Sequence, residues 1–124
     1  MKNIETLEEF EQILGLDKCL IFVAASWSGQ STEGQEKVRK WSQGKDTEIF
    51  VLNVDNELFW GWFVEQEKKS GLQVAAGGHG SLLGAKHGKV TNSLIPHRLS
   101  LEELTQKVES FFFNHENHPN PAAG

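Results

Sequence analysis

The sequence predicts an α/β domain, a central mixed sheet of four to five strands with helices on both faces, and three observations carry that expectation. Two apolar segments rich in β-branched residues, 18–25 (Lys-Cys-Leu-Ile-Phe-Val-Ala-Ala) and 48–54 (Glu-Ile-Phe-Val-Leu-Asn-Val), read as strands covered on both faces. Each is followed by a stretch with apolar residues at helical spacing. Further on, His87-Gly88 is a two-residue connection between two short strand-like runs, and an amphipathic segment closes the pattern. At 124 residues the chain fits one domain. Folding at this size buries roughly two-thirds of the unfolded surface, so neither a disulfide nor a metal is required.

Residues 1–4 suit a short edge strand. Thr6-Leu7-Glu8-Glu9 has the form of a capping box, with Leu7, Phe10 and Leu14 at helical spacing behind it, so a helix is expected over 6–14, ended by Gly15. After the strand at 18–25, residues 27–31 read as a turn. Thr32 with Gln35 forms a second capping box opening a helix through Val38 and Trp41 to about Ser42, with Gly44 beyond it. The strand at 48–54 leads through Asp55-Asn56 into a helix over 57–69. Residues 75–80 (Ala-Ala-Gly-Gly-His-Gly) cannot sit inside a helix without several costly glycines and read as a flexible loop. Strands at 81–86 and 89–95 form the hairpin, the first weakened by Gly84. Ser100-Leu101-Glu102-Glu103 is a third capping box, with Leu101, Leu104, Val108, Phe111 and Phe112 as its helical stripe. The domain is thus expected over 1–113, and the polar segment 114–124, ending Pro-Asn-Pro-Ala-Ala-Gly, reads as a disordered tail.

Composition removes several function classes. A net charge of −5 has the wrong sign for a phosphate-backbone binder, so no nucleic acid partner is expected. The longest apolar run falls far short of the roughly 20 residues that span a bilayer, and the first residues are acidic where a signal peptide is basic. No membrane association and a cytoplasmic location are the expectation. The single Cys19 permits no internal disulfide and agrees with a reducing compartment. Four Trp and eight Phe with no Tyr leave the aromatic residues large and apolar.

Against this background an apolar strand running into Trp27-Ser28-Gly29-Gln30-Ser31 at a helix start resembles the Trp-Cys-Gly-Pro-Cys motif of the thioredoxin family. Leu52-Asn53-Val54-Asp55 is similar to that family's strand after the redox helix, Lys86-His87-Gly88-Lys89 to its hairpin turn, and the segment from Ser100 to its final helix. The resemblance implies a thioredoxin-like fold over roughly residues 4–112. It also implies a degenerate member. Ser28 stands at the place of the nucleophilic cysteine, Ser31 at that of the resolving one, Gln30 at the proline between them and Phe22 at the buried acid. Gly80 falls where the family has its cis-proline, and residues 55–80 are longer than the family's equivalent. A thiolate at a helix N-terminus attacks disulfides, whereas a serine hydroxyl neither ionises usefully there nor exchanges with sulfur. Thiol-disulfide oxidoreductase activity is therefore not expected.

No catalytic residue, cofactor or metal site is assigned from the sequence. Ser28 and Ser31, like Thr32, read as helix-capping hydroxyls. A nucleophilic Ser28 lacks both glycines of the nucleophile-elbow pattern. Cys19 reads as an inert core thiol. His115 and His118 are too weakly spaced for a metal, and His79, His87 and His97 show no ligand spacing. Two surfaces are assigned instead. The former redox site, Trp27, Ser28, Gly29, Gln30 and Ser31 with Gly78, His79 and Gly80, is expected to form a groove for a protein or peptide, and its Gly77 to Gly80 backbone could also face an anion. The segment 58–64 (Leu-Phe-Trp-Gly-Trp-Phe-Val) wraps an apolar arc around more than half of a helix, which makes Phe59, Trp60 and Trp62 a second candidate surface for a partner or a homodimer. The function these features imply is a redox-inactive interaction or assembly module. The alternative is an oxidoreductase or transferase using Cys19 or bound glutathione. An antitoxin-like or immunity-type binder suits the acidic charge but has no motif behind it.

Overall fold

A computed structural model describes residues 1–117, the side chains of Ala76 and of 112–117 excepted. It contains a five-stranded mixed sheet in the order β1-β3-β2-β4-β5. β1 (Lys2–Asn3), β3 (Ile49–Asn53) and β2 (Cys19–Ala24) run parallel, and β4 (Ser81–Lys86) and β5 (Lys89–Leu94) complete the sheet antiparallel. The helices are α1 (Leu7–Leu14), α2 (Gly29–Ser42), α3 (Glu57–Ser70) and α4 (Leu101–Asn117), with short 3₁₀ turns at Ala76–Gly78 and Pro96–Arg98. α4 continues four residues into the segment read from sequence as a tail. The remainder of that segment, with His118, lies outside the described residues, as do the side chains of Phe112 and His115.

β2 is central because it pairs on both edges, with β3 and with β4, and is covered on both faces. Its alternation sorts the core into two layers. Ile21 and Val23 pack with Phe10, Phe59, Phe63 and Leu83, joining α1 and α3 to one face. Leu20, Phe22 and Ala24 pack with Val38, Trp41, Leu82 and Leu104, joining α2 and α4 to the other. A strand with apolar neighbours on both sides has no polar alternation to show, which is why the sequence run is continuous. The hairpin turns at His87 and Gly88, both at positive φ as a two-residue connection requires, and a bulge falls between Gly84 and Ala85.

Two of the three expected capping boxes are present. The Thr6 hydroxyl accepts the Glu9 N–H at 3.1 Å while the Glu9 carboxylate accepts the Thr6 N–H at 3.2 Å. Ser100 and Glu103 do the same at 3.1 and 3.0 Å. The box expected at Thr32 does not form. Ser28 caps α2 instead, its hydroxyl accepting the Ser31 N–H at 3.2 Å, and Thr32 lies one turn inside, donating to the Ser28 carbonyl. The helix begins earlier because Ser28, reached through the turn at Ser26 and Trp27, has the extended backbone (φ −110°, ψ 123°) in which an N-cap hydroxyl is best placed. Leu7 and Leu101, the first residues of α1 and α4, remain exposed.

Hydrogen bonds from the Glu5 and Thr6 N–H groups hold the Glu9 carboxyl below its ordinary 4.5, and the Ser100 N–H lowers Glu103 likewise. A carboxyl lowered on folding stabilises the fold fully above its unfolded value, and that stabilisation is lost as pH falls through the folded value. Thr6→Ala and Ser100→Ala should each cost about 1 kcal/mol in urea unfolding at neutral pH. Glu9→Gln with Glu103→Gln should lose less stability than the parent between pH 7 and pH 3; an equal loss would exclude the boxes as a source of acid sensitivity.

Candidate functional site

The site is built where β2 hands over to α2. The chain leaves the sheet at Ala25, and the Ser31 hydroxyl, one turn into α2, reaches back to accept the Ala25 N–H at 2.8 Å in a buried position. Ser28 turns inward to cap the helix, so each of the two hydroxyl oxygens already accepts a backbone N–H. Among the described residues neither hydroxyl is hydrogen-bonded to an acidic or basic side chain. Trp27 stands 65% exposed above this turn, and its indole Nε1 donates to Asp55 Oδ1 at 3.3 Å. Gln30 and Gly29 are exposed beside it.

The loop before β4 closes the other side. Gly78, at φ +84°, lies so close to the Trp27 ring that a Cβ there would collide with Cη2. At Gly80, at φ +85°, a Cβ would stand 2.8 Å from Ser31 Cα and 3.0 Å from Phe22 Cζ. The backbone thus passes across the first turn of α2 at a distance only glycine allows. Gly80 is the residue that the resemblance sets at the family's cis-proline, and no peptide bond among the described residues is cis. Phe22, at the expected place of a buried acid, is fully buried and forms the floor. His79 lies between the two glycines and stacks on His97, ring centroids 5.8 Å apart and planes 16° apart.

The expected groove residues are therefore brought together, but Ser31, Gly78 and Gly80 are buried rather than lining an open surface. Three supporting residues escaped sequence reading. Asp55 fixes the Trp27 indole; Glu67 Oε2 accepts the Val74 and Ala75 N–H groups at 3.0 Å each and so anchors the loop; His97 partners His79. Each acts across a gap that local spacing does not reveal, 28 residues in the case of Trp27 and Asp55.

The second candidate surface divides. Phe59 does not belong to it: this ring is completely buried, edge-on to Phe10 at 4.9 Å, because it is on the α3 stripe that faces the sheet with Phe63 and Gln66. Trp62 is half-buried, against Phe10 at 5.6 Å, and spends its indole N–H on the Gly88 carbonyl at 3.1 Å. Trp60 is 58% exposed, and Leu58 and Val64 are exposed with it.

Cys19 sits at the opposite end of β2. Its thiol points to the Ile13 carbonyl at 3.9 Å, and burial pushes it up to about 11. Among the described residues no group of three or more His, Cys, Asp or Glu is arranged to hold a metal, and no helix is long and apolar enough to cross a membrane.

No protein-family model matches the chain, and no curated protein matches it. Solved structures do. Thioredoxin from Plasmodium falciparum is 17% identical, with a TM-score of 0.60 over 90% of this chain and 97% of its own. Malassezia sympodialis thioredoxin is 16% identical at a TM-score of 0.62, covering 89% and 91%. Thioredoxin from Trypanosoma brucei brucei is 18% identical at 0.61, covering 89% and 88%. The chain has the thioredoxin fold, and with one cysteine it has no pair of thiols to form a Cys-x-x-Cys site.

Gly78→Ala should displace the Trp27 indole, seen as loss of its Nε1–H shift in the ¹⁵N spectrum. Gly29→Ala, whose Cβ meets nothing within 4 Å, should leave that signal in place. Identical spectra for the two variants would refute the packing of Trp27 on the loop.

Proposed function

We propose that this thioredoxin-fold chain performs no thiol-disulfide exchange and serves as an interaction module, holding an extended protein or peptide segment in the groove between the Trp27 turn and the Gly78 to Gly80 loop. The observation that carries the reading is the fate of the two serines. One caps α2 and the other is buried on the Ala25 N–H, so both positions serve the scaffold. What is left at the surface is a recognition apparatus. The exposed Trp27 supplies a large, rigid apolar face held in orientation by Asp55, the kind of residue that dominates binding energy at interfaces. Beside it Gly29 and Gln30 are exposed and His79 is half-buried, while Gly78 and Gly80 are buried and bring the loop up against Trp27 and Ser31. The degenerate motif, Trp-Ser-Gly-Gln-Ser in place of Trp-Cys-Gly-Pro-Cys, belongs to the same reading.

The rival role through Cys19 has burial against it: a thiol raised to about 11 is almost entirely protonated at neutral pH, and the thiolate is the nucleophile.

The chain should fail to accelerate insulin reduction by dithiothreitol, and measurable turnover would overturn the reading. Alkylation of Cys19 by iodoacetamide should be at least tenfold slower in the native protein than in urea at pH 8. A native rate equal to the unfolded one would reopen the thiol-dependent alternative. Trp27→Ala should weaken capture of peptides selected on the parent chain by at least tenfold, whereas Trp60→Ala should not.

A further inference from the structure

A cavity of about 620 Å³ adjoins the Trp27 turn through Ser26 and Asp55, which line it, within the size range of small-ligand sites, roughly 300–1,000 Å³. It opens at the carboxyl ends of the three parallel strands: Asn3 ends β1, Asn53 ends β3 and Ala24 ends β2, and all three line it. β2 continues into α2 on one face of the sheet, while the neighbouring β3 continues into α3 on the other. The chain therefore parts in opposite directions at this point, which is where open α/β sheets form their ligand crevices.

Its chemistry is specific in sign. The floor is apolar, with Ile4, Ala24, Ala25 and Val51 buried. The walls carry the amides of Asn3, Gln35, Asn53 and Asn56, the hydroxyls of Ser26 and Thr32, and the carboxylates of Glu5 and Asp55, with no lysine, arginine or histidine among the lining residues. Asn53 and Asn56 accept the N–H groups of Asp55 and Leu58. The side chains of Asn3, Glu5, Ser26 and Gln35 have no hydrogen-bond partner among the described residues. Amide and carboxylate oxygens with no lysine, arginine or histidine beside them in the lining suit a multidentate donor of positive charge.

We propose that this cavity receives the guanidinium or ammonium group of a basic side chain, presented by a peptide lying in the Trp27 groove. The inference rests on the peptide-binding reading for the source of that group. Asp55 joins the two, since one carboxylate both lines the cavity and holds the indole that borders the groove.

The test uses the full chain and two small probes, N-acetyl-arginine amide and its neutral counterpart N-acetyl-citrulline amide, followed in ¹⁵N spectra. The arginine probe should shift the Trp27 indole and the Asn53 and Asn56 side-chain amides saturably, and the citrulline probe should bind at least fivefold more weakly. Glu5→Gln with Asp55→Asn, which keeps an acceptor for the Trp27 indole, should weaken the arginine probe at least fivefold with an unchanged thermal midpoint. Equal binding of both probes, or binding unaffected by the double substitution, overturns the proposal. Peptide selection on the same chain separates the two readings. Selected peptides that need Trp27 but show no enrichment in arginine or lysine defeat the basic-side-chain proposal and leave the groove standing. Saturable arginine-probe binding with no peptide selected supports the cavity's chemistry and defeats the groove as the source.

Discussion

Everything at the candidate site follows from the burial of β2 on both edges and both faces. A strand enclosed in this way must deliver its chain to the surface abruptly, and it does so within the few residues from Ala24 to Ser28. The exit leaves the Ala25 N–H inside the protein, where an unpaired donor costs about 1–3 kcal/mol. Ser31 meets that need from the first turn of α2. Phe22, from the same strand, fills the space beneath, and the following loop can cross only as glycine. Strand, cap, floor and loop are one steric solution.

That solution explains why serine at position 31 is a structural choice as much as the absence of a thiol. A thiol is a weak acceptor compared with a hydroxyl, so a cysteine there would serve the Ala25 N–H poorly. Gly80 extends the point: with Ser31 Cα so near, the loop presses directly on the helix, and a proline ring in its place would need the space that Phe22 and Ser31 now occupy.

Features encoded by neighbours in the chain were legible in the sequence. The boxes at Thr6 and Ser100, the strands β2 and β3 and the His87-Gly88 hairpin all follow from residues within a few positions of one another. Reading failed where two local solutions compete or where distant elements meet. Ser28 and Thr32 both offered a cap, and only the exit angle of β2 decides between them. The aromatic helix showed an apolar arc too wide for one face. Its division into a buried Phe59 and an exposed Trp60 depends on where Phe10 of α1 lies, which no spacing within α3 reveals. The groove was placed through its resemblance to the thioredoxin motif, and its supports, Asp55, Glu67 and His97, were not placed at all.

Three residues on two successive turns of α3 hold the far side of the molecule together. Trp62 bonds the Gly88 carbonyl, Gln66 accepts the Val90 N–H at 2.9 Å, and Glu67 clamps Val74 and Ala75. The glycine-rich loop therefore has little conformational independence, despite a composition that suggests it. Its entry is tied to the helix, and Ser81 at its exit donates to the Val74 carbonyl. A loop moored at both ends opens only when its mooring yields, so the free energy of displacing it is set by α3 and the hairpin rather than by the glycines themselves. The helix whose exposed face looked like a place for partners to land is, on its buried side, the latch of the site across the sheet.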